Sequence, residues 1–105
     1  MSVVSVYSTF ADADEAERIG QTVVEERLAA CINILGPIHS IYRWQGKVES
    51  GDEALAIFKL DASCYSAFET KLRALHPYEV PEIISCKIDN GLPEYLSWVG
   101  ESCAK

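Results

Sequence analysis

The 105 residues, 49% hydrophobic and 24% charged, have the composition of an ordinary globular chain and the length of one domain rather than two. A net charge of −7, with nine Lys and Arg scattered from Arg18 to Lys105, argues against nucleic-acid binding, which needs clustered cations. Four cysteines with no C-x-x-C pair exclude a disulfide scaffold, and the longest uncharged run, Leu28 to Tyr42, is too short and broken to span a membrane.

The opening "MSVVSVYSTF" lacks the basic start and long apolar core of a signal peptide, so a cytoplasmic chain with reduced thiols is the expectation. Val3 to Phe10 is β-branched and aromatic and predicts a first strand. In "ADADEAERIGQTVVEERLAA", Asp12 with Glu15 three residues on resembles a capping box. Ala16, Ile19, Val23 and Leu28 fall near one helical face, which predicts a helix over this segment. "CINIL" and "IHSIYRW" predict a second strand, bent or bulged at Gly36-Pro37. Gln45-Gly46 predicts a tight turn into "KVES", and "EALAIFKL" completes a third strand. The resulting hairpin is long for so small a domain. Tyr42 and Trp44 near its tip would need cover, and an exposed aromatic edge is a template for another chain.

"DASCYSAFETKLRAL" places Tyr65, Phe68, Leu72 and Leu75 at spacings of three and four, a second amphipathic helix. "VPEIISCKI" reads as a fourth strand entered at Pro81, and "LPEYLSWVGESC" as a short terminal helix with Pro93 in its first turn. The order βαββαβ plus a helix predicts an α+β, ferredoxin-like split-βαβ fold. Its sheet is antiparallel, with the crossover helices on one face.

Few residues carry chemistry. His76 stands before Pro77, where a helix must stop; it either ends the helix or, beside Tyr78 and Glu79, ligates a metal. Cys31 reads as a buried thiol rather than a nucleophile, with His39 its only conceivable base. Lys59, at the end of the third strand before a helix N-terminus, is a possible anion contact. No nucleophile elbow, P-loop, dinucleotide fingerprint or H-E-x-x-H occurs, so no enzyme class is indicated.

Four stretches, "EERLAACINI" (Glu25 to Ile34), "SIYRWQGKVE" (Ser40 to Glu49), "LHPYEVPEI" (Leu75 to Ile83) and "YLSWV" (Tyr95 to Val99), together resemble the CutA family of divalent-cation tolerance proteins. The resemblance implies a non-enzymatic homotrimer with clefts between subunits, similar in architecture to PII-type signalling proteins. It also implies a link to tolerance of copper or another divalent cation. Tyr42, Trp44, Lys59, His76, Tyr78 and Glu82 match family positions around the cleft. The family's copper pattern joins a Cys near the end of the first strand to a His-His pair before Pro-Tyr. Here Ser8 and Leu75 stand at those positions, leaving His76 as the one metal-ligand candidate. Two alternatives stay open: a PII-like sensor taking a small anion through Lys59, and a trimeric docking or assembly platform.

Overall fold

A computed structural model describes residues 2–103. The elements run β1 (Val3–Phe10), α1 (Ala13–Glu25), β2 (Cys31–Trp44), β3 (Lys47–Asp61), a 3-10 turn (Ala62–Cys64) leading into α2 (Tyr65–Leu75), β4 (Ile84–Lys87) and α3 (Pro93–Ser102). The strands form one antiparallel sheet in the order β2-β3-β1-β4, so the α+β, ferredoxin-like arrangement expected from the element order is the one observed.

The period-2 alternation of β1 and β3 divides the sheet into two unlike faces. On one, Val6, Phe10, Ala56, Phe58 and Leu60 are fully buried with Phe68 and Leu72 of α2 and Val23 of α1. Phe58 and Phe68 meet edge to face at 4.9 Å. Gly20 permits the close approach of α1 to β2, because a Cβ there would stand 2.5 Å from Ile32 Cδ1. The other face carries Leu35 and Ile84, 46% and 55% exposed, and the half-buried Leu55 and Ile57. Only one end of it is roofed, by α3. Tyr95 Oη lies 3.8 Å from Cys31 Sγ, Cys103 Sγ accepts from Asp61 N–H, and Val3 and Ser5 are buried.

Several boundaries differ from the sequence expectation. The first helix stops at Glu25 rather than continuing to Ala30, because Arg27 turns into the left-handed region at φ 60°. Asp12 does cap it, accepting from Glu15 N–H at 2.9 Å. "KVES" and "EALAIFKL" form one continuous 15-residue strand. Gln45 and Gly46, at φ 52° and 81°, make the two-residue turn that joins it to β2. The fourth strand is shorter than "VPEIISCKI": only Ile84–Lys87 pair with β1, and the preceding residues run off the sheet.

Candidate functional site

The uncovered part of the second face becomes a groove because of one irregularity. Leu35 pairs with Leu55 and Ile38 with Glu53, so Gly36 and Pro37 together stand opposite Ala54 alone. A two-against-one bulge inverts the side-chain alternation beyond it. Leu35 is on the open face before the bulge; after it Ile38, Ser40, Tyr42 and Trp44 are. Tyr42 and Trp44 therefore share a face with Glu53 and Leu55 of β3. The segment after α2 closes the end with Tyr78, Glu79, Val80 and Glu82. The groove measures about 990 Å³.

Its end wall is held in place by His76. The extended backbone at His76 (φ −75°, ψ 129°) ends α2, and its N–H still bonds to Leu72 C=O at 2.9 Å. The ring, 7% exposed, stacks on Phe10 with centroids 4.5 Å apart. The partners assign the tautomer: Nε2–H donates to Thr9 C=O at 2.8 Å, and Nδ1 accepts from Tyr78 N–H at 3.2 Å. Burial pushes the His76 pKa below its ordinary value, against the opposing pull of the Thr9 carbonyl, Glu15 and Glu53, so the ring is neutral at pH 7. Tyr78, fixed behind it, donates its hydroxyl to Glu53 Oε2 at 2.8 Å. Burial and that carboxylate push the Tyr78 pKa well above the usual phenol value, so it remains a donor.

The lining is acidic. Asp52, Glu53, Glu79 and Glu82 line it with one basic residue, Arg43, although by the register the side chains of Arg43 and of Asp52, which bonds to His39, lie toward the opposite face. The structure thus brings together Tyr42, Trp44, Tyr78 and Glu82 of the sequence candidates, with His76 buttressing the wall from behind. Lys59 is elsewhere. It lies six residues along β3 from Glu53, about 20 Å away at strand rise, and its ammonium bonds to Asn33 Oδ1. His76 as a metal ligand would have to release Thr9 or Tyr78, since both ring nitrogens are engaged. Among the described residues, no group of three or more His, Cys, Asp or Glu is placed to hold a metal ion. The donor set of one chain therefore does not fit a coordinated copper. Ser8 Oγ is buried without a hydrogen-bond partner, and Leu75 packs against the core. Sequence reasoning missed Glu53 and Asp52, and named Glu79 only as a neighbour of His76. Counting the alternation through the Gly36-Pro37 bulge would have found Glu53, because it sets that residue on the face of Tyr42 and Trp44.

Residues 4–102 match the family model described as CutA1 divalent ion tolerance protein. The chain is 43% identical over 95% of its length to a protein CutA homolog of Xenopus laevis, and 42% identical over 92% to the divalent-cation tolerance protein CutA of Thermus thermophilus. It spans 66% of the Xenopus relative and 94% of the Thermus one. A mouse relative is longer still, and the chain spans 55% of it. The crystal structure of CutA from Xylella fastidiosa superposes with a TM-score of 0.94 at 42% identity, over 99% of this chain and all of that one.

Proposed function

The chain belongs to the CutA1 divalent ion tolerance family, and we propose that it acts without catalysis, as a cytoplasmic homotrimer whose groove collects cations from solution. The observation that carries this reading is the juxtaposition of the carboxylates Glu53, Glu79 and Glu82 with Tyr42, Trp44 and Tyr78 over a sheet face that the chain leaves largely uncovered. Three carboxylates on a concave surface give it a negative potential, which raises the local cation concentration. On this face Leu35 and Ile84 are 46% and 55% exposed, with Tyr42 and Trp44 at 48% and 37%, which supports association of copies through it.

Copper, or another divalent cation, enters this reading as a ligand shared between subunits, because one chain has no three-donor set among the described residues. The free thiols of Cys31, Cys64, Cys86 and Cys103 support a reducing compartment. The anion-sensor reading is the weaker one, since Lys59 is bound to Asn33 outside the groove. The reading is tested by light scattering and copper titration of the assembled protein. Leu35→Asp should drop the mass from trimer to monomer, and Glu82→Gln should weaken copper binding. A wild-type chain that is monomeric at micromolar concentration, or copper binding untouched by Glu82→Gln, removes it.

A further inference from the structure

The fold sorts the four free cysteines into unlike pairs. Cys31 stands on β2 opposite Lys59, and Cys86 on β4 opposite Ser5, so β3 and β1 lie between them. Three strand spacings, about 14 Å, are too wide for a bond between those two sulfurs. Cys64 and Cys103 are also distant in the chain, yet both are packed into the main hydrophobic cluster, 4% and 0% exposed.

Their meeting has a local cause. Asp61 ends β3 and caps the 3-10 turn, its Oδ2 accepting from Ser63 N–H at 3.0 Å. Cys64 is the last residue of that turn, roughly 6 Å of helix rise beyond Asp61. Cys103 caps the end of α3 and reaches the same place from the other face of the sheet, where its Sγ accepts from Asp61 N–H at 3.4 Å. The Cys64 thiol is its side-chain hydrogen-bond partner there. Burial pushes the Cys103 pKa up, against the pull of the Asp61 N–H and with a further rise from Cys64, so Cys103 is a thiol while the structure is closed.

We propose that Cys64 and Cys103 are a site of reversible oxidation, forming a disulfide that fastens α3 to the start of α2 when a low-molecular-weight disulfide is present. The end of α3 is held weakly at Cys103, whose N–H bonds to Gly100 C=O at 3.4 Å, and the step begins when it lifts from Asp61. Cys103 then gives its proton to water and attacks one sulfur of the oxidant. One half of the oxidant leaves as a thiolate and the other half stays on Cys103. When the helix end returns, the deprotonated Cys64 attacks the Cys103 sulfur and expels that second half. The two protein thiols lose two electrons and two protons, and the oxidant gains both and becomes two thiols. A reducing compartment keeps the pair open, so the bond marks a departure from it. It closes a loop of about 40 residues that spans α2, His76, β4 and α3, and it joins helices on opposite faces of the sheet. None of this depends on what the groove binds.

The test equilibrates the assembled native protein with oxidised and reduced glutathione, blocks the remaining thiols with iodoacetamide, and maps tryptic peptides by mass spectrometry. A link between peptides 60–71 and 88–105 is expected, and Cys64→Ser should lose it. Cys31→Ser combined with Cys86→Ser leaves the buried pair untouched, and this variant should lose two hydrogens per chain on oxidation. Its oxidised form should melt about 5–10 °C above its reduced form, and dithiothreitol should erase the difference. No link after equilibration in fully oxidised glutathione overturns the proposal and leaves two inert buried thiols. A link through Cys31 or Cys86, or one between chains, overturns it as well. So does a bond between Cys64 and Cys103 that forms only in urea or leaves the melting midpoint unchanged, because such a bond does not clamp the folded protein.

Discussion

The two faces of the sheet are built from the same strands and do opposite things. Facing α1 and α2, every second residue of β1 and of the Ala54 to Leu60 part of β3 is sealed: Val6, Phe10, Ala56, Phe58 and Leu60 have no exposed surface. On the far side the alternate residues remain reachable, with Leu35, Trp44 and Ile84 between 37% and 55% exposed. Alternation alone supplies both, so the folding of the chain draws on one set of positions and leaves the other free for surfaces and ligands. Residues of similar hydrophobicity one position apart on β3, such as Ile57 and Phe58, therefore answer to different constraints.

The sharpest way to break that contrast is to remove side chains from each face in turn. Phe58→Ala takes a ring from the sealed face and from its contact with Phe68, and should cost about 3–5 kcal/mol in urea unfolding. Leu35→Ala, read on dissociated protein, should cost under about 1 kcal/mol, because the side chain is half exposed. Equal losses would mean that the open face is as much a folding surface as the other.

A subtler change moves side chains between the faces without changing what they are. Deleting Pro37 leaves Gly36 alone opposite Ala54, restores regular alternation, and should turn Tyr42 and Trp44 to the far side of β2 while bringing Arg43 to the groove side. Circular dichroism should stay that of the native fold while cation binding falls below detection. Retained binding would show that the bulge does not set the groove.

How much of this was legible in the sequence follows from the range of each signal. Strand β1, the tight turn at Gln45-Gly46 and the end of α2 before Pro77 are local, governed by alternation, by φ > 0 at the turn and by the steric demand of proline. The stop of α1 at Glu25 was hidden because Arg27, which takes the left-handed conformation, is not a residue that advertises it. The short β4 could not be read because its start depends on where the chain after α2 meets β1, whose Thr9 carbonyl, beyond the last pair, is taken by His76. The cleft candidates Tyr42, Trp44, Tyr78 and Glu82 came from resemblance. The structure sets them together and adds Glu53, which requires both the hairpin register and the bulge. The occupation of His76 was out of reach for the same reason: its partner, the Thr9 carbonyl, is 67 residues away.

That occupation sets the smallest expected effect. The folded pKa of His76 lies below its unfolded value of about 6.5, so the unfolded chain binds more protons between the two values. Stability from the neutral ring is therefore complete above about pH 6.5, falls as the pH drops toward the folded pKa, and loses nothing more below it. The cause is concrete: a proton on Nδ1 would face Tyr78 N–H, donor against donor, while the bond from Nε2–H to Thr9 would survive. Melting curves between pH 7.5 and 5 should show this decline in the wild-type protein, together with the contribution of the carboxylates. His76→Gln, which can still donate to Thr9 but does not titrate, should keep only the carboxylate part. The two curves should differ in slope near pH 6 and run parallel above pH 7. Parallel curves throughout would mean that the ring is not held neutral between Phe10 and Tyr78, and would return His76 to the set of side chains free to bind a metal.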